Sequence, residues 1–284
     1  MNSSQEPIPQ LFKSALSGER RSLGKLLTVI ERGGETADTV AGLAHQKSGS
    51  AHVVGVTGAP GSGKSTLTGR LIDLFSKTGY KTAVLAVDPS SPLTGGAILG
   101  DRIRMDDLAG EDCFIRSMAT RGHSGGLALA VPAAIQIFDA VGYNPVIIET
   151  VGVGQVEVDV AGTADTTVVV VTPGMGDAVQ ANKAGLLEVA DIFVVNKADR
   201  PGANDARRDL ELMLDLGHVS GLEEKTGYRP PIIMANSLEG TGSEETLKAI
   251  KGHAEHLKKS GSIKIRQKQR ILMEIQNRIE ILIG

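Results

Sequence analysis

The chain has 284 residues, of which 41% are hydrophobic and 22% charged, with a formal net charge of −3, one cysteine and no tryptophan. That length suits one large α/β domain with helical appendages, and the small net charge gives no electrostatic basis for general nucleic-acid binding. The single Cys113 excludes an internal disulfide and a cysteine-based metal cluster, and no apolar run reaches the ~20 residues that a membrane helix needs.

Residues 1–10 carry neither a signal-peptide core nor an Arg-rich transit pattern, so the expected location is the cytoplasm. Residues 8–47 read as helical. Leu23, Leu26, Leu27 and Ile30 follow the i, i+3, i+4, i+7 spacing up to Gly33-Gly34, and Ser17-Gly18-Glu19 separates them from a shorter helix with Leu11, Phe12 and Leu16. A packing appendage on the core domain is the expectation, with a partner-binding surface as the alternative.

Residues 52–57 form a short β-branched run, the pattern of a buried parallel strand. Gly58-Ala59-Pro60-Gly61-Ser62-Gly63-Lys64-Ser65 then meets the spacing G-x-x-x-x-G-K-[ST] at every fixed position, and a helix with Leu67, Leu71, Leu74 and Phe75 follows as far as Gly79. Glycines let backbone N–H groups turn inward around phosphate oxygens, and the helix N-terminus adds its positive end. Lys64 is expected to reach the β- and γ-phosphates and Ser65 to place its hydroxyl on Mg²⁺.

Residues 81–88 read as a second buried strand ending in Asp88, which strand polarity puts near the phosphates. The polar stretch from Pro89 towards Met105 is a candidate switch segment. A short strand is expected at 113–117, with Cys113 as a small buried strand residue. Gly122–Gly126 is expected as a turn carrying His123 as an ordinary loop residue, before a helix over 127–141. The next strand ends at Glu149, with Gly152 three residues on: a carboxylate to hold a Mg²⁺-bound water, and an N–H to sense the γ-phosphate. Most GTPases carry Asp at this point. Val153 stands where Ras-like enzymes have a water-orienting Gln, and Gln155 comes two residues later. Slow intrinsic turnover, accelerated by a partner or a second subunit, is therefore expected.

Residues 166–172 form another central strand, leading through Gly174 and Asp177 into a helix with Gln180 and Lys183. Residues 191–199 run from a strand into Asn196-Lys197-Ala198-Asp199. A carboxylate at Asp199 accepts from guanine N1–H and the N2 amine together, whereas adenine leaves it unpaired. Asn196 would tie the loop and Lys197 would pack its stem over the base. The motif lies about 130 residues after the phosphate loop, the order found in G proteins. A helix at 203–216 and a strand at 231–235 complete the sheet, and Asn236-Ser237-Leu238 stands where G proteins close over the base. Two tail helices follow, at 243–259 and 262–283; the second carries Ile265, Leu272 and Ile279 seven apart, with Ile275 and Leu282 at the complementary offset. That seam suits either dimerisation or packing on the chain's own domain. Six basic residues from Lys258 to Arg270 are expected to form a solvated face. The expected fold is an α/β P-loop NTPase with a mostly parallel, doubly wound sheet, divided into helices (1–50), a G domain (51–242) and C-terminal helices (243–284).

With these residues in view, the chain resembles the MeaB/ArgK/MMAA family of P-loop GTPases associated with methylmalonyl-CoA mutase. The resemblance rests on Gly58–Thr66, Val84–Ser91, Gly95–Asp101, Ile148–Gln155 and Val195–Asp199, and it extends to the leading Leu16–Arg21. It implies a GTP-dependent chaperone for an adenosylcobalamin-dependent acyl-CoA mutase. Lys64, Ser65 and Thr66 would bind phosphate and Mg²⁺; Asp88, Asp101 and Glu149 would surround the metal; Asn196, Lys197 and Asp199 would read guanine. The segment Gly174–Lys183 would be an additional switch responding to nucleotide and mutase, with Lys183 as its signal residue. The family also implies a homodimer through a C-terminal helical arm, expected to be short in a chain ending at Gly284. Alternatives are a nickel-delivery maturation GTPase, which would want a His or Cys cluster, and an ATP-dependent kinase of periplasmic amino-acid-binding proteins, which Asn196–Asp199 opposes. A partition-type ATPase would need a lysine at Ala59, and a nucleotide-locked scaffold would not turn over.

Overall fold

Strands buried on both faces need unbroken apolar runs, and this chain supplies them as Val and Ile. In the computed structural model, which describes residues 6–88, 112–119, 124–150, 162–174, 189–219 and 227–283, seven strands form one sheet, and the central ones are such runs while the two edge strands are only partly buried. The seven are β1 (Val53–Thr57), β2 (Thr82–Asp88), β3 (Cys113–Ala119), β4 (Val146–Thr150), β5 (Thr166–Val171), β6 (Ile192–Val195) and β7 (Ile232–Met234). The order is β3-β2-β4-β1-β5-β6-β7 and every pair is parallel. Among the described residues the helices are α1 (Ile8–Leu16), α2 (Arg20–Arg32), α3 (Glu35–His45), α4 (Lys64–Lys77), α5 (Ser124–Val141), α6 (Ala203–Val219), α7 (Ser243–Ser260) and α8 (Ser262–Ile283). None is long and apolar enough to cross a membrane.

Period-two alternation divides the core between the two sheet faces. Val54, Val56, Val168, Val170 and Ile192 pack with Leu67, Leu71 and Phe75 of α4 and Ile250 of α7. Val53, Leu85, Val146 and Ile148 turn the other way, onto Phe138 of α5 and onto Leu11, Leu26 and Ile30 of the N-terminal helices, and Val169 and Phe193 meet Leu210 of α6. The helical region at 8–47 holds three helices rather than two, because Gly33 and Gly34, both at positive φ (72° and 82°), let the chain turn straight from α2 into α3. The Asp139 carboxylate clasps the joint to β1, accepting from Ser50 N (3.0 Å) and Ala51 N (3.0 Å). Helix α5 begins at Ser124, earlier than expected, and takes Gly125 and Gly126 into its first turn, where backbone N–H groups need no intrahelical partner. Cys113 is buried in β3, where burial pushes its thiol up to about 11, an inert strand residue.

The basic run from Lys258 to Arg270 is not one solvated face. Arg266 and Arg270, one helical turn apart on α8, point under the sheet at the starts of β5 and β6. Arg266 forks onto Asp191 (Nη1–Oδ2 2.8 Å, Nη2–Oδ1 2.7 Å), and Arg270 pairs with Asp165, which is wholly buried. Each carboxylate also accepts a strand N–H, Asp165 from Val53 and Asp191 from Thr167, both at 2.8 Å. His253 of α7 completes the cluster, with Nε2 3.3 Å from Asp191 and Nδ1 2.8 Å from Thr166 Oγ1. Burial pushes this imidazole down to about 4; Arg266, His52 and His256 act the same way, against Asp191. The unfolded chain therefore binds one more proton than the folded one between about pH 6.5 and 4. His253 contributes stability that is complete above pH 6.5 and lost as pH falls through that window, up to about 3 kcal/mol. Urea midpoints followed from pH 7.5 down to 4.5 should drop for the native chain and drop less for His253→Asn; equal slopes would rule out this assignment.

Candidate functional site

The phosphate-loop sequence folds as the turn from β1 into α4, with Gly63 left-handed (φ 92°, ψ 24°) immediately before Lys64. Two glycines there are dictated by close approach. A Cβ on Gly58 (φ +136°) would lie 2.1 Å from Val170 O of β5, and one on Gly63 would lie 2.2 Å from Asn196 Nδ2. The Lys64 ammonium, buried within the loop, donates to Gly58 O (2.6 Å) and Ala59 O (3.0 Å).

Ser65, one residue on, donates through Oγ to Glu149 Oε1 at 2.5 Å. Glu149 is buried near the end of β4, beside Thr150, whose hydroxyl donates to Thr57 Oγ1 at 3.1 Å. A hydroxyl and a carboxylate side by side at a strand terminus form a hard-oxygen donor pair, the chemistry that Mg²⁺ prefers, so the residues present fit that ion. Asp88 ends β2 one step beyond Val87, which pairs with Thr150, so its backbone reaches the same edge of the sheet. Its side chain lies outside the described residues, as do Asp101, Gly152, Asp177, Gln180 and Lys183. The candidate switch from Pro89 to Met105 and His123 lie outside them too. Gly174 follows β5 at this edge and is exposed.

At the other end, Asn196 joins two loops. Its Nδ2 donates to Ser62 O (2.8 Å), while its Oδ1 accepts from Ser237 N (3.0 Å) and Ser237 Oγ (2.9 Å). Lys197 holds a left-handed backbone (φ 57°) rare for a residue with a Cβ, and its Nζ reaches Gly61 O at 2.7 Å. Asn236 Oδ1 accepts from Leu238 N (3.2 Å) and Glu239 N (3.4 Å), an Asx turn that shapes the loop. One cavity of about 820 Å³ gathers both ends: Pro60, Gly61, Gly63, Lys64, Ser65, Thr66 and Glu149 on one side, Asn196, Lys197, Asp199, Asn236, Ser237 and Leu238 on the other. Gly58, Ala59 and Ser62 are not among its lining residues; their carbonyls accept from the Lys64 and Asn196 side chains that are. Sequence reasoning missed four lining side chains: Thr150, Arg200, Arg70 and Asp73. The last two were legible, since Thr66, Arg70 and Asp73 follow i, i+4, i+7 and form a polar stripe on α4.

A family model described as "Methylmalonyl Co-A mutase-associated GTPase MeaB" matches residues 23–282. A putative GTPase of Pyrococcus horikoshii is 47% identical over 272 residues, 95% of this chain and 85% of that one. A fused isobutyryl-CoA mutase of Cupriavidus metallidurans is 38% identical over 206 residues, 71% of this chain and 19% of that protein. A solved structure described as an LAO/AO transport system kinase superposes with a TM-score of 0.78 at 27% identity, covering all of this chain and 86% of that one.

Proposed function

The chain belongs to the MeaB family of methylmalonyl-CoA mutase-associated GTPases, and from that premise we propose that it is a GTP-dependent chaperone of an adenosylcobalamin-dependent acyl-CoA mutase. The observation that carries the nucleotide half is the meeting of Lys64, the Ser65–Glu149 pair and Asn196–Asp199 in one cavity. The mutase half rests on the family's description and on the relative in which a similar chain is fused to isobutyryl-CoA mutase.

In this reading the loop from Gly58 to Thr66 cradles the phosphates. Lys64 releases its two carbonyl partners to neutralise β- and γ-oxygens. Ser65 and Glu149, with Asp88 and Asp101, hold Mg²⁺, which when bound neutralises charge on the phosphate chain. Gly152 senses the γ-phosphate, and Gly174, Asp177, Gln180 and Lys183 relay nucleotide state to the mutase. Asp199 accepts from guanine, Asn196 fixes the loop beneath it, and Lys197 lies along the base. Residues 1–50, 51–242 and 243–284 divide these tasks as appendage, G domain and arm. On α8, Ile265 (60%), Leu272 (49%), Ile275 (47%) and Ile279 (48%) stay exposed while Arg266 and Arg270 face the chain's own domain, which supports a homodimer through this stripe. The protein works in the cytoplasm.

The test is hydrolysis of GTP by the protein alone and with an adenosylcobalamin-dependent methylmalonyl-CoA mutase, with ATP in parallel. Slow GTP turnover that rises with mutase is the expected result. GTP preference with no response to the mutase would discard the client and keep the GTPase. Preference for ATP would favour the kinase reading that attaches to the name of the solved structure above.

A further inference from the structure

Helix α4 starts at the phosphate loop, and Arg70 sits six residues after Lys64, about 9 Å further along the axis. There it leaves the helix sideways and meets the opposite wall of the cavity. Its Nε donates to Ser237 O at 3.1 Å and its Nη2 to Leu238 O at 2.5 Å. The guanidinium also lies against the turn that closes this loop, 3.9 Å from where a Cβ on Gly240 would stand. Two successive carbonyls of the segment 236–238 are thus fixed by one rigid fork, while the N–H groups of Ser237 and Leu238 are fixed from below by Asn196 and Asn236. Leu238, 76% exposed, presents an apolar side chain at the cavity lining.

We infer that Arg70 is a positioning residue for the purine base: it ties the loop over the base to the helix that carries the phosphate loop, and so fixes the distance between the two halves of the site. The inference deepens the guanine-nucleotide reading and rests on it. Several features favour positioning over a plain surface tether. Both acceptors are backbone atoms of the segment that lines the base end, not side chains elsewhere. The fork spans 167 and 168 residues of sequence, joining parts of the site that share no backbone ladder. Arg70 itself lines the cavity between them. Since the strut acts on the base side and not on the γ-phosphate, GDP and GTP should suffer equally when it is removed.

The experiment compares the full chain with Arg70→Ala and Arg70→Lys, using fluorescent N-methylanthraniloyl GDP and the matching GTP probe, with unlabelled GDP and ADP as competitors. Arg70→Ala is expected to weaken both probes by the same factor, on the order of tenfold, mainly through faster dissociation. KM for GTP should rise in step while kcat at saturation changes far less. Arg70→Lys, able to reach one carbonyl but not to fork, should recover part of the loss. The melting temperature of the nucleotide-free variants should match that of the native chain. Unchanged GDP affinity in Arg70→Ala overturns the inference, as does a loss confined to GTP. So does a matching fall in nucleotide-free melting temperature that Arg70→Lys fails to rescue. Equal competition by ADP and GDP in the native chain would instead overturn the guanine reading; Arg70 would then still be judged by whether Arg70→Ala weakens both nucleotides together.

Discussion

Gly58→Ala should abolish nucleotide binding and cost the fold about 3–5 kcal/mol. The backbone at this position has φ +136°, a region that only glycine occupies without strain. Space is the larger problem. The added Cβ would stand 2.1 Å from Val170 O and 3.0 Å from its carbonyl carbon. Val170 belongs to β5, which is locked between β1 and β6 and is buried on both faces, so it cannot retreat without breaking two ladders. The loop must move instead, and with it the carbonyl that holds Lys64. Gly61→Ala supplies the control. That residue is also left-handed (φ +72°), but its Cβ would meet no protein atom within 4 Å, so the fold itself should lose only strain of about 1–2 kcal/mol. Urea midpoints and GDP titration check both variants. If Gly58→Ala proves no worse than Gly61→Ala, close approach to β5 is not what the first glycine is for.

The contrast between these glycines also shows how far the sequence can be read. Motif spacing marks Gly58 and Gly63 as required, and strand–turn–helix context gives the reason for a phosphate loop. It does not show that Gly63 is forced by Asn196, a residue of the base-reading motif on the far side of β5. The central strands were legible because burial on both faces leaves mainly apolar residues to choose from, and no polar alternation interrupts a run such as Val168-Val169-Val170-Val171. Ends of elements were less so: the turn expected at Gly122–Gly126 gives up its last residues to α5, since a helix's first turn tolerates glycine. What local patterns hide is pairing at long range. The spacing puts Arg70 on the polar stripe of α4 beside the phosphate loop, but its partners, the carbonyls of Ser237 and Leu238, appear only once the chain is folded. Arg266 and Arg270 look like solvated charge because the carboxylates that meet them, Asp191 and Asp165, lie 75 and 105 residues earlier.

That hidden pairing yields the second large effect. Arg266→Ala should destabilise the chain by about 3–5 kcal/mol, because it strands Asp191, 7% exposed, without the guanidinium that neutralises it. Thr167 N would still donate to the carboxylate; His253 beside it would lose the repulsion of Arg266 but keep the burial that pushes its imidazole down. Removing both charges should be far milder. In Arg266→Met with Asp191→Asn, the amide oxygen keeps the Thr167 bond and the methionine keeps the packed stem, so most of the loss should be recovered. Lys268, two residues along and exposed, should tolerate alanine within about 0.5 kcal/mol. A double-mutant cycle on urea unfolding at pH 7.5 measures all of this. Single variants that each cost under about 1 kcal/mol would mean that the cluster is hydrated and that α8 is held by other contacts. The expected result has a consequence for function. β5 and β6 start at this ionic floor and lead towards Gly174 and Asn196, so the anchor of α8 and the base-reading edge are at opposite ends of the same two strands. A helix that left its seat would free its apolar stripe from any fixed direction, and a dimer built on that stripe would lose its geometry along with the fold's stability.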